Sequence, residues 1–256
     1  MVVPASLRFF RCAVDLEGVR DHISGLPFMW TSYDKSQVVQ LYREVRIGAP
    51  DQFLDVHRDD IGICIWERPQ NTDITGWCHH ILSCCSVDFD GVVSVAPTTL
   101  SNAVAKILAP FPSIYAQSAV SQDLEFLLGM FAQITAARSV RVRFGVVRSD
   151  ECRKFHVDAV KVRLFCTYIG PGTEWIPDED LVWEKLGQND CCVDDYNAAI
   201  LKPGGCVQRL APFAVALAKG ACWPGSSRGG VIHRSPPLEH LGLSRVRLIL
   251  EEHSTD

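Results

Sequence analysis

Residues 155–168, FHVDAVKVRLFCTY, decide how this chain folds. From Val160 to Tyr168, apolar and polar side chains alternate, which predicts a β-strand with one buried face. His156 and Asp158 lie just before that strand, two residues apart, and residues at this spacing on an extended backbone point to the same side. The stretch therefore predicts an imidazole and a carboxylate that face one common point beside a strand.

The same period of two continues on both sides of this stretch. Upstream, valine or phenylalanine occupies every second position from 140 to 146, with arginine or glycine between them. Downstream, Gly/Pro turns separate three further predicted strands, over residues 212–217, 230–233 and 245–250. Short strands joined by turns, with no long helix between them, predict an antiparallel barrel or sandwich of the jelly-roll kind over residues 139–256.

The first half of the chain shows mainly helical spacing. One strand is predicted over residues 61–66, and helices are predicted over residues 34–46, 71–85, 97–108 and 121–137. We therefore expect an α+β protein in which residues 1–138, mainly helical, pack on the outside of a jelly-roll (cupin-like) core formed by residues 139–256.

Composition excludes several classes of protein. The chain has 256 residues with 25 Lys and Arg against 30 Asp and Glu, a net charge of −5 that disfavours nucleic acid as a partner. No apolar run approaches the roughly 18–20 residues of a membrane span, and the start of the sequence lacks the pattern of a secretory signal. Eleven cysteines without a CxxC motif indicate thiols in a reducing compartment, so we expect a cytoplasmic protein.

A second histidine completes a metal-binding pattern. His233 ends a predicted strand about 75 residues after Asp158. Two histidines and one carboxylate with open positions form the facial triad of non-haem Fe(II) oxygenases. Cys152 could be a fourth ligand, which would favour Zn²⁺ over Fe(II), or a small buried thiol. The alternative for the three residues is a buried polar network without a metal.

HxD followed by one distant histidine and a further strand resembles the double-stranded β-helix of the 2-oxoglutarate and Fe(II)-dependent dioxygenases. The resemblance implies that 2-oxoglutarate takes two open metal positions and O₂ the third. It also implies a basic residue one strand beyond the last histidine that binds the far carboxylate of 2-oxoglutarate. Arg245 and Arg247 share a face of that strand and both fit. Lys219 is a further candidate for binding an anion, or else a solvated strand end.

Five blocks of sequence also resemble a bacterial domain-of-unknown-function family whose genes often lie beside those of zinc-homeostasis GTPases. The blocks are WERP at 66–69, residues 152–158, RLFCTYIGPGTEW at 163–175, AKGACWP at 218–224 and HRSPP at 233–237. The resemblance implies that eight residues of these blocks are features of the family rather than of this chain alone. They are Cys152, His156, Asp158, Gly170, Gly172, Thr173, Lys219 and His233. The cysteine-rich stretch 78–85 has no counterpart there, and we interpret it as a surface helix.

Five more side chains are candidates for the pocket, each with an ordinary alternative. Tyr168 and Thr173 flank a Gly-Pro-Gly turn and could hydrogen-bond the cosubstrate, or Thr173 could stabilise the turn itself. Trp175 and Trp223 could line the pocket or simply be buried. Arg163 fits either a polar face of the barrel or a substrate contact.

The sequence therefore predicts a mononuclear oxygenase of the Fe(II)/2-oxoglutarate type. Its substrate would be a small molecule, a protein side chain or a nucleobase. The alternative is a zinc-binding protein of metal homeostasis without oxygenase activity, and a third class is an interaction module that binds no metal.

Overall fold

This computed structural model describes residues 41–114, 116–187, 192–225 and 229–253, all within the unit Val39–Asp256. The strands are β1 (Arg43–Ile47), β2 (Ile61–Trp66), β3 (Asp88–Ser94), β4 (Ser139–Val147), β5 (Val162–Ile169), β6 (Glu174–Trp175), β7 (Gln208–Arg209), β8 (Val215–Lys219), β9 (His233–Arg234) and β10 (Arg245–Glu252). The α-helices are α1 (Thr72–Cys84), α2 (Leu100–Leu108), α3 (Gln117–Thr135) and α4 (Val193–Ala199).

The strands form two sheets. A seven-stranded sheet has the order β1-β2-β8-β5-β10-β4-β3, and a three-stranded sheet has the order β7-β6-β9. All pairs are antiparallel except β1 with β2. Phe165 and Ile249 of the large sheet share one buried cluster with Trp175 of the small sheet. The predicted α+β fold with a double-stranded β-helix core is confirmed.

Each face of the large sheet has its own partner. On β5, Val162, Leu164 and Cys166 belong to the cluster that contains the helices, whereas Phe165 belongs to the cluster between the sheets. This separation follows from the period of two, because successive side chains of a strand point to opposite faces. The space between the two sheets is called the barrel interior below.

The helices cover the outer face because each has one apolar side. On α3, Leu124, Leu127, Leu128 and Phe131 follow helical spacing and are fully buried. Burying each such side chain contributes about 1.5–3 kcal/mol to the free energy of unfolding. Among the described residues, no helix has both the length and the apolar character that crossing a membrane requires.

The start of α1 is fixed by a local hydrogen-bond pattern. Asn71 precedes the helix, and its side-chain oxygen accepts hydrogen bonds from the backbone N–H groups of Asp73 and Ile74. Such a cap satisfies donors that have no partner within the helix and contributes about 1 kcal/mol. The helix predicted over residues 71–85 is therefore present.

The prediction of a helix over residues 34–46 was wrong where it can be compared. Arg43–Ile47 is strand β1, which pairs in parallel with β2, and residues 34–40 lie outside the described residues. Hydrogen bonds to a strand close in space here outweigh local propensity. Strand β3 and helix α4 were also missed. The domain boundary near residue 139 stays a prediction, although β1, β2 and β3 precede it and lie in the same sheet as β4, β5, β8 and β10.

Candidate metal centre

The backbone brings His156 and His233 together. The two residues form an antiparallel bridge in which each backbone N–H donates to the other residue's carbonyl at 3.0 Å. Directly opposite residues of such a pair point to the same side, and the two imidazole ring centres lie 4.7 Å apart. Asp158 follows His156 by two residues and therefore shares that side.

The carboxylate of Asp158 lies between the two imidazoles. Its Oδ1 is 3.4 Å from Nε2 of His156, and its Oδ2 is 2.9 Å from Nε2 of His233. One ligand atom from each of the three residues lies within 4.8 Å of the other two, so together they could hold a metal ion. Asp158 and His233 are buried, and His156 is half-buried, so the group is reached from the His156 side.

Both histidines are oriented by the peptide backbone. Nδ1 of His156 lies 2.8 Å from the Lys154 carbonyl oxygen, and Nδ1 of His233 lies 3.0 Å from that of Val231. A carbonyl oxygen only accepts hydrogen bonds, so each Nδ1 carries the proton and the Nε2 lone pair of a neutral ring faces Asp158. Oδ2 of Asp158 is buried and has no well-aligned donor in the described part of the chain. The Nε2 lone pairs and the Asp158 oxygens all accept hydrogen bonds and repel one another, so they are stable this close together only when a proton or a cation lies between them. Two nitrogens and one carboxylate oxygen suit a divalent transition metal.

The pKa of Asp158 lies well below its usual range. Burial by itself raises this pKa, but the charge of His233 and the hydrogen bonds from both histidines, which act when the rings are protonated, and the charge of Arg163 lower it. The carboxylate is therefore ionised at neutral pH and is ready to bind a cation.

Arg163 contacts the triad directly. Its Nη1 lies 2.5 Å from Oδ1 of Asp158, and its Nε and Nη2 donate to Oε2 of Glu251, the Nε at 3.1 Å. Arg163 and Glu251 are register partners on β5 and β10, and both side chains are almost fully buried. Of the two interpretations kept for Arg163, the structure supports the polar face of the barrel interior, beside the His156, Asp158 and His233 group.

Arg245 and Arg247 share a face of β10 as expected, and both are buried. Both guanidinium groups are paired with Glu151, and Arg247 also contacts Asp88 at 3.2 Å. Burial alone would raise the pKa of Glu151, but the two arginines lower it to about 2. Arg245 and Arg247 thus lie in the barrel interior, and both guanidinium groups are already paired with the carboxylate of Glu151.

Arg143 on β4 was missed as a candidate. Its nearest recorded carboxylate oxygen is Oε1 of Glu251 at 3.9 Å, and its buried Nε finds no acceptor within the described ranges. Burial and the charge of Arg163 lower its pKa. The alternation of Arg143 with apolar residues of β4 was visible in the sequence. That pattern alone does not show whether the arginine side chain faces a cavity or the solvent.

Tyr168 and Lys219 point away from the triad. Tyr168 has the same parity as Val162 on β5, and Lys219 the same parity as Val215 on β8, so both face the helix side of the sheet. The Tyr168 hydroxyl donates to Oδ2 of Asp123 at 2.7 Å. Nζ of Lys219 donates to the Arg58 carbonyl at 2.7 Å. Neither side chain lies where a ligand of the triad would bind, which corrects the expectation from sequence.

Trp223 also lies on the helix side. Its ring packs 5.5 Å from that of His57 and 4.8 Å from Nζ of Lys219. It lines a surface cleft of about 360 Å³ together with His57, Lys161 and Glu252, on the far side of the sheet from the triad. The placement of Trp223 in the substrate pocket is therefore corrected as well.

Trp175 and Thr173 lie beside the triad. Trp175 on β6 is the register partner of His233 on β9, and its buried Nε1 has no acceptor among the described residues. Thr173 is buried, and its carbonyl oxygen accepts from the backbone N–H of Leu210 at 3.0 Å. Trp175 thus offers a free donor to the barrel interior, whereas the recorded contact of Thr173 is a backbone one that stabilises the loop.

Cys152 is not part of the ligand group. Its carbonyl oxygen accepts from Ser235 at 2.9 Å, so its backbone is near β9, but its sulfur does not belong to the cluster of His156, Asp158 and His233. The cysteine-rich stretch 78–85 forms part of α1, and within the described ranges it provides no second group of three metal-binding side chains.

Two facing sheets with two histidines and one aspartate between them define the class of protein: a double-stranded β-helix of the kind found in Fe(II)/2-oxoglutarate dioxygenases. The 2-oxoglutarate complex of dioxygenase for auxin oxidation 1 from Arabidopsis thaliana superimposes with a TM-score of 0.50 at 9% identity, covering 84% of this chain and 94% of that one. At such low identity, the likeness shows the fold alone.

Two other solved structures resemble the chain more loosely. The rice dioxygenase for auxin oxidation gives a TM-score of 0.47 at 11% identity and covers 83% of each chain. A prolyl-4-hydroxylase from Pseudomonas putida gives 0.38 at 9% identity, covering 80% of this chain and 100% of that one. No curated protein matches the sequence.

Residues 49–251 match the model of the family described as "Protein of unknown function (DUF1826)", so the chain belongs to that family. The expected membership of a domain-of-unknown-function family is confirmed.

Proposed function

We propose that this protein is a mononuclear oxygenase of the Fe(II)/2-oxoglutarate type, with His156, Asp158 and His233 as its metal ligands. One observation carries the proposal. Both Nδ1 atoms are bonded to main-chain carbonyls, so both Nε2 lone pairs face the Asp158 carboxylate, that of His156 at Oδ1 and that of His233 at Oδ2, and Oδ2 has no well-aligned donor among the described residues. The metal, when bound, supplies the oxidation chemistry. The residues of the chain orient the ligand atoms and bind the cosubstrate.

Buried hydrogen-bond donors in the barrel interior favour the binding of an anionic cosubstrate there. Buried N–H groups of Arg143, Trp175 and Arg245 have no acceptor among the described residues. Leaving a buried donor unpaired costs about 1–3 kcal/mol, and buried polar groups are normally satisfied. A dicarboxylate such as 2-oxoglutarate offers only acceptors at its ends. Its binding would satisfy these donors, with Arg245 and Arg247 as the cationic partners of its distal carboxylate.

The test is binding under anaerobic conditions. Protein loaded with Fe(II) is titrated with 2-oxoglutarate, and both the metal-to-ligand charge-transfer band and the heat of binding are measured. We expect saturable binding with the band. His233→Ala should lose metal binding, and His240→Ala, an exposed histidine away from the triad, is the matched control.

A second variant separates the cosubstrate from the metal. Arg245→Met should bind metal as the wild type does and bind 2-oxoglutarate at least two orders of magnitude more weakly, because a buried carboxylate loses a charged partner. If the wild-type protein binds Zn²⁺ but shows neither band nor heat with 2-oxoglutarate, the oxygenase proposal fails. The remaining candidate is then the zinc-binding protein of metal homeostasis.

We place the protein in the cytoplasm. The described cysteines carry thiols rather than disulfides, including buried Cys64, Cys78 and Cys166. Thiols persist in reducing compartments, and disulfides are rare there.

A further inference from the structure

The guanidinium group of Arg163 divides its contacts between two carboxylates. Nε and Nη2 bind one oxygen of Glu251, and Nη1 pairs with Oδ1 of Asp158 at 2.5 Å. The register of β5 and β10 sets Arg163 opposite Glu251. The position of Nη1 is therefore determined by the large sheet rather than by the loop that carries Asp158.

The two oxygens of Asp158 consequently differ. Oδ1 is held by Arg163 at 2.5 Å and lies farther, at 3.4 Å, from Nε2 of His156. Oδ2 is buried, has no well-aligned donor among the described residues and lies 2.9 Å from Nε2 of His233. A free carboxylate can bind a metal ion through one oxygen or through both. An oxygen that is engaged in a buried ion pair is not available as a second ligand.

We propose that Arg163 is a positioning residue that restricts Asp158 to a single metal-binding oxygen, Oδ2. This inference rests on the proposed function. An octahedral ion held by two imidazoles and one oxygen keeps three positions for other ligands, whereas a two-oxygen aspartate would leave only two. Arg163 thus preserves the position that a ligand needs beside a chelating cosubstrate.

The charge of Arg163 supports this role. A cation that is almost fully buried and in contact with a metal-binding carboxylate repels a divalent ion and weakens its binding. The presence of an arginine at this position is therefore not explained by a contribution to metal affinity. Glu251 offsets part of this repulsion, since it is ionically paired with the other edge of the same guanidinium.

The test counts the water molecules on bound Mn²⁺ in the full-length protein without cosubstrate. The measurement is the broadening of the Mn²⁺ electron paramagnetic resonance lines in ¹⁷O-enriched water, with Mn²⁺ affinity measured by calorimetry. In Arg163→Met, we expect one fewer bound water than in the wild type, because Oδ1 becomes a ligand. We also expect Mn²⁺ to bind at least as tightly, because a like charge is removed.

Three further variants complete the test. Arg163→Lys should keep the wild-type number of waters, since one ammonium group can still hold Oδ1. Arg141→Met, which removes an exposed arginine that pairs with Asp90 and does not touch Asp158, should also keep it. If Arg163→Met does not fold, Arg163→Gln replaces it, since its shorter amide leaves Oδ1 free.

Two results would overturn the inference in different ways. Mn²⁺ binding with an unchanged number of waters in Arg163→Met, or in Arg163→Gln where that variant replaces it, contradicts the role of Arg163 and leaves the proposed function standing. Wild-type protein that binds no divalent metal contradicts both.

Discussion

At the scale of single residues, four arginines from three strands line the barrel interior, and they share several of their carboxylate partners. Arg163 pairs with Asp158 and Glu251, Arg245 with Glu151, and Arg247 with Glu151 and Asp88. Among the described residues, the carboxylate partner of Arg143 is the more distant Glu251, at 3.9 Å. A single carboxylate, that of Glu151, thus neutralises much of the proposed cosubstrate clamp of Arg245 and Arg247.

Glu151 links this clamp to the pH dependence of stability. Its pKa falls from the ordinary value of 4.5 to about 2 in the folded protein. A depressed pKa contributes stability that is present above about pH 4.5 and lost as the pH falls toward 2. We expect Glu151→Gln to remove up to about 3 kcal/mol from the free energy of unfolding at pH 7.

The measurement is chemical denaturation of both proteins from pH 7 to pH 3. The difference between wild type and Glu151→Gln should shrink as the pH falls below about 4.5. A difference that stays constant over this range would contradict the ion-pair assignment. Glu239→Gln, which changes an exposed acid that does not pair with Arg245 or Arg247, provides the control substitution.

Tyr168 tests the assignment of the two faces of β5. Tyr168→Phe removes the hydrogen bond to Asp123 and should lower the free energy of unfolding by about 1–2 kcal/mol. Because the hydroxyl faces the helices, the affinities for metal and for 2-oxoglutarate should not change, and calorimetry measures both. A tenfold loss of 2-oxoglutarate affinity in Tyr168→Phe would contradict this assignment and indicate that Tyr168 contacts the cosubstrate.

At the scale of elements, the loop with Asp158 is held against the end of β8. A Cβ atom added to Gly220 would lie 2.2 Å from the Val160 carbonyl oxygen and 2.8 Å from that of Asp158. The backbone of Ala221 also donates to the Asp158 carbonyl at 2.8 Å. The position of Asp158, the proposed metal ligand, therefore depends on a close crossing of two backbones, which only glycine permits.

Gly220→Ala should move the loop and so affect two quantities. We expect a loss of about 1–3 kcal/mol in the free energy of unfolding and a metal affinity that is at least tenfold weaker. Gly76→Ala is the matched control, because a Cβ at this exposed helical position meets no atom within 4 Å. That change should stabilise the protein by about 0.5–1 kcal/mol and leave metal binding unaltered. Unchanged metal affinity in Gly220→Ala would contradict the coupling.

At the scale of the whole molecule, burial in the core decides which thiols react. Burial raises the pKa of Cys64 to about 12 and that of Cys166 to about 11, so both remain protonated. The exposed cysteines among the described residues are Cys84, Cys192, Cys206 and Cys222. Since the thiolate is the nucleophile and must be accessible, we expect iodoacetamide at pH 8 to label the exposed cysteines first.

Mass spectrometry of peptides over a time course of labelling measures this order. Cys64 and Cys166 should react only when denaturant is added, and all eleven cysteines should react in the unfolded chain. Labelling of Cys64 in the native protein as fast as that of Cys222 would mean that the sheet opens readily.

The sequence by itself determined the strands with a clear period of two, the long amphipathic helices and the three residues of the candidate triad. These are local properties: His156 and Asp158 are two residues apart on one extended segment, and α3 repeats its apolar side chains at helical spacing. Local spacing determines which side chains share a face of a helix or strand, and it does so independently of the element that packs against that face.

Only the tertiary structure decided what each face meets. Tyr168 and Arg163 both lie on β5 and both looked like pocket residues, but their opposite parity sends Tyr168 to the helices and Arg163 to the barrel interior. Strand β1 depended on β2, and the pairing of Glu151 with Arg245 and Arg247 joins residues more than 90 positions apart. Such partners are set by packing across the whole chain, since neither local propensity nor parity names the element on the other side.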